Sequence, residues 1–330
     1  MLVIKKSINN LDLPQHLLYY VLNKTMKGVI MNAKNANLHK AKREANDEFY
    51  TQYEDIAKEI EHYKEHLKGK VIYCNCDIPY FSNFHKYFLD NFKELELKKL
   101  IVTGYVKNGN GKCSIYDGEK ATDYDLLGDG DFRGDECVDM LQKADVIITN
   151  PPFSLFREYI TQLIEHGNEF LIVGNQNAIT YKEVFSLIHD NKVCLGTKSG
   201  DMKFVVPSHY ELRNTRSWLD ENGVNWRSLG NACWFTSFNV RENDYLELTK
   251  KYNESEYPKY DNYNAINVDK TKDIPKDYHG VVGVPITFLD KHNQNQFEIV
   301  GFRKGDDGKD LRVDGKDKFN RVLIKRKEVV

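Results

Sequence analysis

From residue 47 onward the chain alternates short apolar runs with stretches whose apolar residues recur at helical spacing. Ile56, Ile60, Tyr63 and Leu67 fall three or four residues apart with Gly69 just beyond, which predicts a helix over 47–67 beginning near Thr51. Apolar runs at 71–76, 99–103, 145–149, 170–173 and 192–195 read as strands. Segments 83–92, 155–166 and 181–189 carry the helical period between and after them. Strands alternating with helices predict an α/β fold with a doubly wound, mostly parallel sheet. Such sheets bind ligands at the carboxyl ends of their strands.

Past Gly196 the pattern changes. Residues 197–231 mix Lys198, Lys203, His209, Arg213, Arg216, Trp218, Trp226 and Arg227 with turn formers, and 231–238 returns to strand character. Residues 250–280 are polar and tyrosine-rich, a connection, and strand-like runs at 281–289, 297–302 and 322–325 follow. At the other end, Leu17, Leu18, Val21 and Leu22 fit one side of an amphipathic helix within 1–30. That segment reads as a dispensable extension or a start-site choice. The division expected is an extension at 1–30, a catalytic domain at 31–250 containing an insertion at 197–231, and a C-terminal extension at 251–330.

Composition narrows the class. At 41% hydrophobic and 12% aromatic, the 330-residue chain can fill a core, so global disorder is excluded. No stretch approaches the ~18 apolar residues of a membrane span, and no signal-peptide pattern is present, so a cytoplasmic protein without membrane partners is expected. Six scattered cysteines include one close pair, Cys74 and Cys76, set by i, i+2 spacing on one face of a strand. They lack further ligands at zinc spacing and read as reduced, mostly buried thiols, so no metal is expected. The net charge of −2 hides an asymmetry: residues 1–46 hold eight Lys/Arg against two Asp/Glu, leaving −8 on the rest. The basic end, with Lys40, Lys42 and Arg43, is a solvated terminus or an arm that touches phosphates.

The chemistry is concentrated at Asn150-Pro151-Pro152-Phe153, which ends the apolar run DVIIT. Two prolines stop a strand, remove two backbone donors and leave carbonyls free to accept. A residue before proline is held extended, which fixes the Asn150 side chain at the strand's carboxyl edge. Phe153 adds a flat face. An exocyclic amine on an aromatic base needs two acceptors for its N–H groups and a surface for its ring; held so, its lone pair can attack an electrophilic methyl group. The plain alternative is a Pro-Pro turn with a buried Phe.

NPPF resembles the catalytic motif of S-adenosyl-L-methionine (AdoMet)-dependent amino-methyltransferases, and its surroundings resemble the EcoRI-type adenine-specific DNA methyltransferases. The matching stretches are LHKAK (38–42), DEFYTQY (47–53), VIYCNCD (71–77), NPPFSLFREY (150–159), ITYKEVF (179–185), VPSHYEL (206–212) and GVPITFLDK (283–291), collinear from about residue 31 to the C-terminus. The resemblance implies a Rossmann-like methyltransferase sheet, AdoMet as methyl donor and double-stranded DNA as partner. It implies that Asn150 and the Pro151 carbonyl hold the adenine N6 amine and that Phe153 stacks on the base. Phe49, Tyr50 and Thr51 would line the methionine end of the cofactor, although Thr51 reads equally as a helix N-cap. Asp77 would take the place of the usual cofactor-loop acid. Asp131 and Phe132, in GDGDFR, would read the cofactor's adenine, or form a glycine-acid turn. Two features depart from common AdoMet enzymes: no glycine-rich turn follows the first strand, where CNCDIP stands, and the second strand ends VTGY without a ribose-binding acid.

A target amine inside a stacked duplex requires the base to be flipped out. Contacts to DNA are expected from Lys40, Lys42 and Arg43, from Arg157, and from Arg213, Arg216 and Arg227, each of which is otherwise a solvated charge. No obligate protein partner is evident, and a bacterial or phage origin fits the family. The competing functions are methylation of cytosine N4 or an RNA base, a catalytically silent DNA-binding protein, and a nicotinamide oxidoreductase; the last lacks its G-x-G-x-x-G turn.

Overall fold

The computed structural model describes residues 49–212, 214–238 and 244–327, with the side chains of 198–200 left out. The expected helix within 1–30 and the candidate DNA contacts Lys40, Lys42, Arg43 and Arg213 lie outside the described residues. In chain order the elements are β1 (Tyr50–Thr51), α1 (Tyr53–Ile60), α2 (Lys64–Leu67), β2 (Val71–Cys74), α3 (Asn83–Asp90), β3 (Lys99–Gly104), β4 (Lys112–Tyr116), β5 (Ala121–Asp125), α4 (Asp135–Leu141), β6 (Val146–Thr149), α5 (Phe156–His166), β7 (Glu169–Asn175), α6 (Lys182–His189), β8 (Cys194–Val205), β9 (Ser217–Leu219) and β10 (Asn225–Thr236). A second region follows with β11 (Lys259–Tyr260), β12 (Tyr263–Asn267), β13 (Val281–Pro285), β14 (Phe297–Phe302), β15 (Arg312–Val313), β16 (Lys316–Asp317) and β17 (Arg321–Arg326).

The main sheet runs β1-β8-β10-β7-β6-β2-β3-β4-β5, with β9 on β10. Its centre, β7-β6-β2-β3, is parallel, and every other pair is antiparallel. The sheet is therefore mixed, not mostly parallel. The apolar runs that mark its buried strands carry no information on direction. Helices cover both faces: α1 and α3 share a core with Ile72, Val146 and Trp234, while α5 and α6 share one with Tyr73, Ile147 and Phe235. Strands β2 and β6 are fully buried because both faces are covered, which is why they read as continuous apolar runs.

Order reverses between β2 and β6, since β3 lies on one side of β2 while β6 and β7 lie on the other. The Asn150 motif leaves β6 at this switch point, where doubly wound sheets place their ligands. The 197–231 segment carries strands as well as turns. It continues the sheet as the long antiparallel pair β8 and β10, which meet β7 only through 232–236. Ala232 pairs with Asn175, the last residue of β7, so 225–231 runs on past the carboxyl edge as an arm. At the base of that arm the buried Glu59 carboxylate of α1 accepts from Thr197 N (2.7 Å) and Thr197 Oγ1 (2.6 Å).

The C-terminal sheet, β11-β12-β13-β17-β14, lies on the α5–α6 side. Phe302 of β14 stacks on Phe185 of α6 at 4.8 Å, and Val282, Phe288 and Ile324 share one apolar cluster with Phe156 and Ile172. No helix among the described residues is long and apolar enough to cross a membrane.

Candidate active site

Asn150 follows the last residue of β6, and its two amide atoms have opposite fates. Nδ2 donates to the Phe49 carbonyl at 2.5 Å, which fixes the orientation of the amide because only nitrogen can donate there. Oδ1 is then buried with no hydrogen-bond partner. A buried acceptor left unpaired costs about 1–3 kcal/mol, which makes it a candidate to accept from a bound group. Phe153 opens the short 3-10 turn after the two prolines, half-buried, and its ring lies against Phe49 at 5.3 Å and 22°.

Residues 49–51 cross the carboxyl edge as a strap. Tyr50 and Thr51 pair with Val205 and Phe204 of the arm, and the Thr51 carbonyl accepts from Asn83 Nδ2 (2.8 Å) at the start of α3. Thr51 is thus a strand residue and not the helix cap; Gln52 occupies the N-cap position, without a side-chain bond. The Thr51 hydroxyl is buried with no partner. Phe49 packs edge-on against Phe204 (5.6 Å) and Tyr210 (6.0 Å), and Tyr50 against Phe81 (5.1 Å). The strap thereby touches the motif, the arm and the turn after β2.

That turn, at 75–77, replaces a glycine-rich loop. Asn75 is buried; its Oδ1 accepts from Tyr159 of α5, and its Nδ2 has no partner. Asp77 is also buried, but both of its oxygens are engaged: Ser82 Oγ donates to one and Thr149 Oγ1 to the other, each at 2.5 Å. Burial pushes the Asp77 carboxyl up to about 6 against the opposing pull of these two hydroxyls. Asp77 therefore ties α3, through its cap Ser82, to Thr149, the residue before Asn150. Thr149, Ser82 and Asn75 were not singled out by sequence; the one legible signal was a threonine ending an otherwise aliphatic strand.

Asp131 and Phe132 are brought to the same edge by glycines. A Cβ on Gly130 (φ +83°) would sit 2.4 Å from the Gly104 carbonyl, and one on Gly111 2.5 Å from Gly130 Cα, so the loop before Asp131 presses directly on the end of β3. The Arg133 guanidinium, bonded to Asp131 through Nε (2.8 Å) and Nη2 (2.5 Å), holds that carboxyl below its usual range. Phe132 is buried, edge-on to Tyr159 at 5.0 Å. Beside this loop a groove of about 680 Å³ runs along α5, lined by Phe132, Arg133, Leu155, Arg157, Gln162 and Tyr181.

The candidate DNA contacts divide. Arg157 is exposed and lies over the Tyr181 ring at 4.4 Å. Arg216 is exposed and pairs with Asp201 at 3.0 Å. Arg227 is buried, and its Nη1 donates to the Thr215 carbonyl (2.5 Å) and Ser217 Oγ (3.1 Å), so its visible work is to brace β9. All six cysteines are free thiols; burial raises the pKa of Cys74 and Cys76, which favours the neutral form. No group of His, Cys, Asp and Glu able to hold a metal occurs among the described residues.

Three buried polar atoms at this edge, Thr51 Oγ1, Asn75 Nδ2 and Asn150 Oδ1, have no partner among the described residues. They offer two hydroxyl- or carbonyl-type acceptors and two donors, a set that fits both the amino-acid end of AdoMet and an exocyclic amine.

Comparison with known proteins agrees with this chemistry. The family model described as adenine-specific methyltransferase EcoRI matches residues 37–127 and 106–328. The chain is 52% identical to Type II methyltransferase M.EcoRI of Escherichia coli, over 90% of this chain and 98% of that protein. It is 36% identical to Type II methyltransferase M.MgeORF184P of Mycoplasma genitalium, over 89% and 99% of the two chains. With Type II methyltransferase M.MpnI of Mycoplasma pneumoniae the figures are 35%, 88% and 98%. No solved structure matches.

Proposed function

The chain belongs to the EcoRI family of adenine-specific methyltransferases, and on that premise we propose that it transfers a methyl group from AdoMet to N6 of an adenine flipped out of double-stranded DNA. The observation that carries this reading is Asn150 Oδ1, a buried acceptor whose orientation is fixed by the Phe49 carbonyl and which has no partner among the described residues.

In this account Asn150 Oδ1 accepts one N6–H and the Pro151 carbonyl the other. The base stacks on the face of Phe153 turned away from Phe49. Holding both hydrogens draws the amine from planar toward tetrahedral, and its lone pair becomes the nucleophile. The bound AdoMet supplies a methyl group on a positively charged sulfur. Transfer of that methyl to N6 would leave S-adenosyl-L-homocysteine and release one N6 proton to solvent, with Asn150 and the Pro151 carbonyl holding the amine in place. The chain's work is positioning; no covalent intermediate and no metal step is invoked.

The strap and the Rossmann-like edge form the cofactor site in this reading. Thr51 Oγ1 and Asn75 Nδ2 bond the methionine end of the cofactor, with Phe49 and Tyr50 as its apolar wall. Asp131, whose carboxylate keeps acceptor capacity on Oδ2 beyond its three bonds to Arg133, takes the adenine N6–H, and Phe132 supports that ring. We assign Asp77 to holding the turn and the end of β6, since it is buried and ties Ser82 to Thr149 through its two oxygens. Arg157 and Arg216 are placed for phosphates, and Arg227 braces the loop that carries Arg216.

The test is methylation of unmodified double-stranded DNA with AdoMet carrying a labelled methyl group, followed by digestion to nucleosides and mass spectrometry. Label in N6-methyladenine is expected. Label in N4-methylcytosine, or label only when RNA is offered, would replace the adenine assignment.

A further inference from the structure

The arm has two unlike faces. Directly paired residues run in rows across β1, β8, β10 and β9: Tyr50, Val205, Trp226 and Trp218 form one row, and Thr51, Phe204, Arg227 and Ser217 form the next. Cross-strand partners share a face and successive rows alternate, so the two rows point opposite ways. Thr51, Phe204 and Arg227 are buried, and Leu229, on their side, packs against the α1–α3 core. The other row is half-buried at Tyr50, Val205 and Trp226 and exposed at Trp218. It faces the α5–α6 side of the sheet, beyond the point where β7 ends.

An open antiparallel face ordinarily reads polar. This one reads Tyr-Val-Trp-Trp. The Trp218 and Trp226 rings lie parallel, 6.1 Å apart at 6°, and Trp226 Nε1 donates to Asp220 (2.9 Å), whose other oxygen accepts from Asn222 N and Val224 N in the turn. The flat presentation is therefore built in. Alongside, Lys203 faces Ser228 across the ladder, and Arg216 reaches back over Gly230, where a Cβ would meet its guanidinium at 2.1 Å. Lys203 and Arg216 are both exposed; Asp201 offsets only the second. Aromatic faces interleaved with cations are the chemistry of nucleic-acid contact.

We propose that this face of the arm is a wall of the DNA site: Trp218, backed by Trp226, packs against bases beside the flipped adenine, while Lys203 and Arg216 meet the flanking phosphates. The inference rests on the proposed adenine methyltransferase reading and adds the surface that reads the duplex. Three ladder steps put Trp218 about 15 Å from the strap, roughly the scale of a duplex groove and its wall. Arg157 over Tyr181 lies on the same α5–α6 side, so a duplex across the carboxyl edge meets both.

The experiment compares the wild type with Trp218→Ala, Trp218→Phe and Lys203→Ala. It measures binding of a labelled duplex in the presence of S-adenosyl-L-homocysteine, binding of the cofactor alone, and N6-methyladenine formation. Trp218→Ala should bind duplex about ten- to a hundredfold more weakly with unchanged cofactor affinity, and Trp218→Phe should recover most of the loss. Lys203→Ala should lower the slope of log affinity against log salt by about 1. Wild-type duplex affinity in Trp218→Ala overturns the proposal, as does a parallel loss of cofactor binding, which would make the tryptophan a support of the strap. If the wild type forms no N6-methyladenine, the underlying reading fails and the proposal falls with it, a result distinct from a wild type that methylates beside an unaffected variant.

Discussion

Two polar clusters meet at the carboxyl edge of the parallel strands, separated by one residue of chain, and they are finished to different degrees. Asp77, Ser82 and Thr149 satisfy one another within the protein, and Ser82 goes on to cap α3 through Phe84 N. Thr51, Asn75 and Asn150 each keep one buried polar atom without a partner. A saturated cluster stabilises the fold and has little left to offer a ligand; an unsaturated one is destabilising until a ligand completes it. The contrast separates the two sets without reference to residue type alone, since Thr149 belongs to the first and Thr51 to the second.

Breaking the unsaturated cluster at its centre should have the largest effect. Asn150→Ala removes an acceptor used most strongly in the transition state and is expected to lower kcat by about 10²–10³-fold, with AdoMet affinity by calorimetry essentially unchanged. The saturated cluster should respond in stability instead. Because burial raises the Asp77 carboxyl from 3.8 to about 6, the native state holds its proton after the unfolded chain has lost it. Its favourable contribution is complete below pH 3.8 and is lost as pH rises to about 6, amounting to at most about 3 kcal/mol. Asp77→Asn should flatten that part of the stability–pH profile in denaturant titrations while AdoMet still binds; lost AdoMet binding with an unchanged profile would move Asp77 into the site.

Smaller changes sharpen the line. Phe153→Ala should cost about ten- to a hundredfold in kcat/KM for DNA, the value of one base–aromatic stack, with Phe153→Tyr close to the wild type. Thr51→Val keeps the strand and its volume and deletes only the hydroxyl. The expected loss is about fivefold in AdoMet affinity, corresponding to ~1 kcal/mol, with thermal stability unchanged or slightly raised because a buried unpaired oxygen is removed.

What could be read from sequence follows the same division between burial and geometry. β2, β6 and β14 were legible because both-face burial or apolar runs mark them, and 297–302 coincides with the observed strand. β5, exposed along its whole length as ATDYD, carries no hydrophobic pattern, so neither it nor its partner β4 is legible in the sequence. The arm's sequence reads as turn-rich because its inner row contains Arg227, a cation whose burial only the fold reveals, and because a bulge near Leu229 and Ala232 shifts its alternation. Direction was invisible too, so a mixed sheet looked parallel. In the site, Asn150 and Phe153 stood out through the two prolines, whereas the pairing of Asp77 with Thr149 spans 72 residues and leaves no local trace.

The most direct measurement is the structure of the chain bound to S-adenosyl-L-homocysteine and a duplex containing its target site. Asn150 Oδ1 is expected within hydrogen-bond distance of an extrahelical adenine N6, with Thr51 Oγ1 and Asn75 Nδ2 bonded to the cofactor and Asp77 still held by Ser82 and Thr149. An Asn150 Oδ1 left unpaired in that complex, or an Asp77 turned onto the cofactor, would contradict that expectation.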